Sequence, residues 1–453
     1  MAITVNTAGL MSSSGFDVQG LVDQMITAMQ APEQVWKDQQ STLTAQTSAL
    51  QSLTSNLSSL NSSVDGLTDV LGAFAQRTAT SSDESLVTAS ANTAAAFGQH
   101  AVVVTSLAIK AGYYSNNTNI ATGDTAISGG SITIKIGDKN QQIAIGNSDS
   151  NTLNKLASKI NGFAMGVTAS VITDSSGAKL AVVGNSTGKA NDITLTATAD
   201  SALTFTKPGD GADAVASIDG IPITSATNTI SNAVPGLTIQ LNGEKAGVPV
   251  TVMVTADTSS ASRAITSFVN SYNTLIGAIN SQFTFDQTSG SAGVLAGDAS
   301  VRSVQQQLVQ LVAGASVSSS ATPTLRSLGI TMNDDGTLSI DSQSLNAALS
   351  GNFSDVQTFF QDSSKGFATQ LGTLMDSLND SVRGPFVVDL QGITATQDTL
   401  TDTINDFEDR LSLQRQSLVD KFSQVNALLQ ELPTTESQID AMLGSINTSS
   451  SKK

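Results

Sequence analysis

From Trp36 onward, apolar residues recur in alternating steps of three and four. Trp36, Leu43, Leu50, Leu53, Leu57, Leu60, Val64, Leu67 and Leu71 form the series, with Gln39 and Gln46 filling two early places. This is the a/d seam of a heptad helix, polar at its start and apolar afterwards. Upstream, Val18, Leu21, Val22, Met25, Ile26 and Met29 make a broader apolar face. Pro32 predicts a break there and a new helix starting beside it, because proline lacks an N–H yet suits a first turn. Helix from Asp17 to Leu71 would span roughly 80 Å at ~1.5 Å per residue. The far end repeats the pattern with Leu400, Ile404, Phe407, Leu411, Gln414 and Leu418. Phe422, Val425, Leu429 and Leu432 continue it after a slip of register, which should locally unwind a supercoil. Pro433 predicts the end of that helix, with a short amphipathic segment behind it carrying Ile439, Met442, Leu443 and Ile446. Two such ends are natural partners for each other or for copies in other subunits, since each buried seam leucine is worth ~1.5–3 kcal/mol.

Between the ends the period changes. "HAVVVTSLAIKA", "SITIKIGDKNQQIAIGN", "VTASVITDSSGAKLAVVGN", "NDITLTATAD" and "GLTIQLNGEKAGVPVTVMVTAD" read as short or alternating strands punctuated by Gly, Asn and Asp. One helix, "SNTLNKLASKINGF", sits among them, and helix returns from Ala261 in "SRAITSFVNSYNTLIGAINSQF" and "DASVRSVQQQLVQLVAG". The expected class is α+β multidomain: long terminal helices forming a coiled-coil leg and a helical bundle, with β-rich head domains inserted between them. The expected division is a terminal leg (1–40 and 410–453), a bundle (41–75 and 263–409), a β-rich head domain (76–110 and 213–262) and a second one inserted in it (111–212).

Composition narrows the function. A net charge of −17 opposes nucleic-acid binding, which needs clustered Lys and Arg, and opposes docking on anionic membranes. With no cysteine and one histidine, disulfides and Cys-based zinc sites are excluded. The opening "MAITVNTAGLMSSSGF" has neither the basic region nor the apolar run of a cleaved signal, and no run of 18 apolar residues occurs, so no membrane insertion is expected.

Candidate chemistry adds little. A Ser/His/Asp triad would have to use His100, which opens a strand in "AFGQHAVVV" and reads as a surface or edge residue. "GNSTGKAND" is close to a phosphate-binding loop, yet Gly184 and Gly188 are one residue too near and Ala190 replaces the Ser/Thr. "TMNDDGTLSID" matches a calcium loop only at Asn333, Asp335 and Gly336, with Thr331 and Ser342 at two ligand places. It reads as a hairpin turn between Met332 and Leu338. No enzyme and no cofactor are expected.

Several separate blocks, in order, carry a resemblance. The entrance has Gly15, Phe16, Asp17, Leu21, Val22, Met25 and Pro32. The middle has "VVVTSLA", "NTLNKLASKIN", "GVTASVITDSSGAKLAVVGNSTG" and "AVASIDGIPITSATNTISNAVPGLTIQL". The returning half has "FVNSYNTLI", "GVLAGDASVR" and "LRSLGITMNDDGTLSIDSQSLNAAL". Along nearly its whole length the chain resembles the flagellar filament cap family, also called hook-associated protein 2. It departs where Phe16 stands between the serine–glycine and the aspartate, and where "MQA" replaces an acidic residue before Pro32.

The resemblance implies a secreted structural protein at the distal tip of the bacterial flagellar filament. It would be exported by the flagellar type III apparatus with an export chaperone and assembled into a ring of copies. A pentamer is expected, with a tetramer or hexamer as alternatives. Flagellin and hook–filament junction proteins are the implied partners, with flagellin folded and inserted beneath the cap. Leu10, Phe16, Asp17, Leu21, Val22, Met25 and Met29, with the stretch Leu418 to Ile446, are then expected at the filament end. The leg is expected to pack through Trp36, Leu43, Leu50, Leu53, Leu57, Leu60, Leu400, Ile404, Phe407, Leu411, Leu418, Phe422, Val425 and Leu429. The rivals are another axial protein (a flagellin or a hook–filament junction protein) and an adhesin whose head holds host glycans. "DDGTLSID" followed by "SLNAAL" favours the cap.

Overall fold

The structure, a computed structural model, describes residues 11–12, 15–117, 119–285, 290–316 and 323–450, and within these the side-chain surroundings of residues 17–315 and 323–443. The chain divides into two compact units, one of residues 69–263 and the other of residues 1–68 with 264–453.

The described chain opens on a two-residue ladder, β1 (Met11–Ser12) against β2 (Gly15–Phe16), followed by α1 (Val18–Met29) and α2 (Ala31–Thr68). Asp17 caps α1, its Oδ1 accepting the Gly20 N–H at 3.0 Å. Pro32 falls in the first turn of α2, where its missing N–H has no intrahelical acceptor to lose. The seam does not reach Leu71, which is 68% exposed. Asp69 ends the helix instead: its carbonyl accepts the Gly72 N–H at 2.9 Å and its Oδ1 the Leu71 N–H at 2.9 Å, turning the chain away.

The unit of residues 69–263 holds two β domains. The host contributes β3 (Arg77–Ser81), β4 (Val87–Ala91) and β5 (Gly98–Ser106). The inserted domain follows with β6 (Gly112–Ser115), β7 (Ser131–Ile136), β8 (Lys139–Ala144), α3 (Leu153–Gly162), β9 (Val167–Asp174), β10 (Gly177–Gly184), β11 (Ile193–Ala197) and β12 (Phe205–Gly209). The chain then returns to the host as β13 (Ala214–Ile218), β14 (Ile221–Ser225), β15 (Thr229–Val234), β16 (Leu237–Leu241) and β17 (Val250–Ala256). The host sheets run β14-β13-β5-β17-β3 and β15-β16-β4 over a core that includes Val102, Val104, Leu237, Ile239 and Val252, each at most 2% exposed. The inserted sheets run β12-β6-β10-β9 and β11-β7-β8. Around them a separate core gathers Ile132, Ile134, Leu180, Val182 and the apolar face of α3. Thr152 starts α3, its side chain accepting the Lys155 N–H.

The lone histidine lies on β5 with Nδ1 2.7 Å from Asp219 Oδ2, while the other Asp219 oxygen accepts the Ala101 N–H at 2.8 Å. Asp219 and Gly220 have φ of +52° and +81° and form the two-residue turn joining β13 to β14, which an Asp-Gly pair suits. The histidine thus ties down a hairpin.

Lys207 lies 2.7 Å from both Asp192 and Asp210. Burial acts to raise the Asp192 pKa, but the hydrogen bonds from Lys207 and the Gly211 N–H outweigh it and hold the carboxyl below its ordinary 3.8. A carboxyl depressed in the folded state adds stability that is present above the ordinary value and lost as pH falls through the folded one. Asp192→Asn is expected to lower stability near neutrality and to flatten its decline below pH 3.8. Urea titrations over a pH series check this, and parallel acid slopes for both proteins would refute it.

The other unit is helical. To α1 and α2 it adds α4 (Thr258–Phe283, of which residues 264–283 belong here), α5 (Ala299–Ser316), the hairpin β18 (Ile330–Met332) and β19 (Leu338–Ile340), α6 (Ser342–Gly351), α7 (Phe353–Gln361), α8 (Phe367–Leu378) and α9 (Pro385–Ser450). Leu50, Leu53, Leu57, Leu60, Val64 and Leu67 on α2 are buried, as are Phe268, Tyr272 and Ile276 on α4, and α2 packs against α8 and α9. The hairpin pairs Met332 with Leu338, and its turn oxygens are occupied: Asp335 Oδ1 accepts from the Thr337 N–H and hydroxyl, and Asn333 Oδ1 from the Ser339 hydroxyl. Asn273 on α4 extends the ladder sideways, donating to the Leu338 carbonyl at 2.7 Å and accepting its N–H at 2.6 Å. Helix α9 runs unbroken through Pro433, contrary to the expected stop. Helix-forming sequence on both sides carries the ladder across the one missing N–H, and the Thr435 hydroxyl donates to the Glu431 carbonyl at 3.0 Å beside the gap.

Candidate functional site

The two terminal helical segments form an antiparallel leg. Going outward from the bundle, Gln397 donates to Thr44, Gln40 donates to Thr401, Lys37 meets Glu408 and Arg415 meets Asp23. Trp36 and Phe407 pack edge to face with centroids 5.2 Å apart, a geometry that places a ring's positive edge on its neighbour's face. Glu33 is 5% exposed and ion-pairs with Lys37, whose Nζ also lies 3.3 Å from Glu408. The hydrogen bond from Lys37 holds the Glu33 carboxyl below its ordinary range, and Glu33 with Glu408 raises Lys37. A groove of about 440 Å³ runs along this seam, lined by Trp36, Gln39, Ala395, Thr396, Thr399, Leu400 and Thr403.

Burial along the seam changes with distance from the bundle. On α2, Leu50, Leu53, Leu57 and Leu60 are buried, Leu43 and Trp36 are half-buried and Gln39 is exposed. Gln46 is half-buried and donates to the Val294 carbonyl at 3.1 Å. On α9, Leu400, Ile404 and Leu411 are buried, while Phe407, Leu418 and Phe422 are half-buried. Val425 and Leu429 stand 45% and 48% exposed, so the described residues do not cover them as the seam pattern suggested. The register gives the reason. Arg415 is level with Asp23, and α1 begins only five residues earlier at Val18, so α9 outruns its antiparallel partner.

The N-terminal candidates divide. Leu10 lies outside the described residues, as do the surroundings of the Phe16 side chain. Asp17 is the cap of α1. Leu21 and Val22, expected on a face open to partners, are 7% and 0% exposed, because α1 packs on α9. Met25 is half-buried and Met29 is 36% exposed.

A stripe on α9 is exposed. Val425, Leu428, Leu429, Leu432, Ile439, Met442 and Leu443 are 45–67% exposed, at helical spacing apart from a seven-residue step between Leu432 and Ile439, over ~27 Å at ~1.5 Å per residue. Leu428, absent from the seam read along the sequence, flanks it on the same side. An apolar stripe of this width and period is the face with which a helix enters a groove or a coiled coil. Among the described residues, no group of three or more His, Cys, Asp or Glu is placed to hold a metal, and no described helix is long and apolar enough to cross a membrane.

Comparison with known proteins agrees with this architecture. Residues 14–111 match the family model of the flagellar hook-associated protein 2 N-terminus, and residues 211–434 that of its C-terminus. Flagellar hook-associated protein 2 of Escherichia coli is 31% identical over 94% of this chain and 96% of its own. The B-type flagellar hook-associated protein 2 of Pseudomonas aeruginosa is 30% identical over 84% of this chain and 85% of its own. The crystal structure of the D1-D2-D3 domains of the flagellar cap protein FliD from Escherichia coli superposes with a TM-score of 0.53 at 28% identity, covering 76% of this chain and 99% of that one. The chain belongs to the flagellar hook-associated protein 2 family.

Proposed function

We propose that this protein caps the distal end of a flagellar filament as a ring of its own copies, five in number, and that exported flagellin folds and joins the filament beneath it. In this reading it reaches the tip through the flagellar type III export apparatus with a chaperone and meets the hook–filament junction proteins at the start of growth. The observation that carries the reading is the exposed apolar stripe of Val425, Leu428, Leu429, Leu432, Ile439 and Leu443 at the end of the leg. So much exposed apolar surface on one helix face is costly in water and marks a site of association. Family membership supplies the context, since two curated relatives are named for the hook-associated protein and one solved relative for the cap.

The test is to place carboxylates on the stripe. A chain carrying Val425→Asp, Leu429→Asp and Leu432→Asp is expected to keep its melting curve, because these side chains are exposed. Cells relying on it should shed flagellin without elongating filaments, since a buried carboxylate without a partner opposes docking. Normal filament length with that variant would overturn the assignment of the stripe.

A further inference from the structure

The segment that came closest to a phosphate-binding loop, Gly184 to Asp192, has a different role in the fold. Covalently, the inserted domain joins its host only through the chain around Ile109, just before β6, and around Ala212, just after β12. Those two strands bridge each other, with Ile109 and Ala212 exchanging hydrogen bonds of 2.9 and 3.2 Å. Two adjacent strands alone make a hinge. The loop after β10 adds attachments that a hinge does not need. The Gly188 N–H donates to the Ile109 carbonyl at 3.2 Å, the Lys189 N–H to Asp213 Oδ1 at 2.7 Å, and the Thr187 hydroxyl to the Ala226 carbonyl at 2.7 Å. From the other side, the Gly211 N–H donates to Asp192 Oδ1 at 2.8 Å.

Ala226 belongs to the turn between β14 and β15, which has no direct chain connection to the inserted domain. That turn is itself held firmly, because Asn228 accepts the Ala108 N–H at 2.6 Å and donates to the Ala108 carbonyl at 3.0 Å. The closeness of the fit is written in two glycines. Gly188 has φ of +102°, and a Cβ there would lie 2.9 Å from both the Cβ and the carbonyl oxygen of Ala226. A Cβ on Gly211 would lie 2.9 Å from the Gly188 carbonyl. Such contacts are closer than packed atoms tolerate, so neither position accepts a side chain unless the domains part.

We propose that the Gly184–Asp192 loop is a clasp that seats the inserted β domain on the host's β14–β15 turn, so that the two domains move as one body, with Gly188 as the residue that permits closure. The clasp converts a two-strand hinge into an attachment with a third anchor, and its other bonds use main-chain and short polar groups that lose little side-chain freedom on closing.

The absence of native cysteine makes the test direct. In the full chain, Asp138→Cys in the inserted domain and Ser90→Cys in the host, both exposed, take spin labels without background, and pulsed electron resonance reads their distance distribution. One narrow distribution is expected with the clasp intact, and at least a twofold wider one with Gly188→Val. Gly137→Ala serves as the control: it has φ of +54° but nothing within 4 Å of its would-be Cβ, and should leave the width unchanged. If Gly188→Val does not fold, Thr187→Val with Asp213→Ala, which removes two tethers and adds no clash, decides in its place and should also broaden the distribution. An unchanged width in the folded variant, or equal broadening by Gly137→Ala, would overturn the clasp.

Discussion

Truncating Phe268 to alanine is expected to cost the helical unit about 3–5 kcal/mol, the usual range for emptying a buried aromatic site. Phe268 is fully buried, and its ring centroid lies 6.1 Å from that of Tyr272 and 5.6 Å from that of Phe367. Phe367 in turn stacks on Phe359 at 5.8 Å and an 11° interplanar angle. The cluster therefore joins α4 to the much later pair α7 and α8, and a cavity there has rigid rings on its walls. Tyr272 is likewise fully buried, and burial raises the pKa of its hydroxyl. Rigid surroundings collapse poorly around a void, so the loss should fall at the upper end of the range. Phe285, 60% exposed, provides the contrast: its truncation should stay within about 0.5 kcal/mol. Urea unfolding followed by far-ultraviolet dichroism, a helix-weighted signal, measures both. A loss below about 1 kcal/mol for Phe268→Ala would mean that the helices α4, α7 and α8 do not share this core.

Replacing Pro433 with alanine is expected to act in the opposite direction and only locally. Proline within a helix costs about 3 kcal/mol relative to alanine, through the absent N–H and the clash of its ring with the preceding turn. In α9 that cost falls on a stretch where every residue from 427 to 443 is exposed, so little burial offsets it. Pro433→Ala should raise amide protection on both sides of the position by up to that ~3 kcal/mol. The unfolding midpoint of the bundle should not move, because the outer part of α9 contributes nothing buried to it. Hydrogen exchange on the full chain reads the two effects separately. Unchanged protection from Lys421 to Met442 would mean that the helix there is limited by fraying from its end and not by the proline.

These two positions also show what a sequence makes visible. The fold class, the helical ends and the strand-rich middle were legible because burial imposes its period on the chain: three and four in Leu50 to Leu67, two in the strands. Pro32 and Pro433 are the same residue with opposite outcomes. Pro32 sits where a first turn has free N–H groups anyway. At Pro433 the result depends on how strongly the flanking segments propagate helix, a balance that a rule about proline does not contain. The seam residues Val425 and Leu429 fit the heptad as well as Leu400 and Ile404 do. Only the start of α1 at Val18 shows that their partner helix has already ended.

The loop Gly184–Asp192 makes the same point at longer range. Its glycines stand one residue too near for a phosphate cradle and read as a turn, and the atom that forbids a side chain at Gly188 comes from Ala226, on a turn 38 positions away. Nothing around Asn273 in the sequence marks it out, since the hairpin strand that it bonds comes 65 positions later. Local pattern is enough to specify which stretches are helix or strand and which faces are apolar, because those follow from a few neighbouring residues and the cost of wetting them. Which apolar face finds cover, which glycine is indispensable and which proline is tolerated follow from contacts between distant segments. In this protein, the sequence by itself determined an α+β fold with long helical ends around a strand-rich middle. The tertiary structure determined where the leg is left bare and how the β domains are held together.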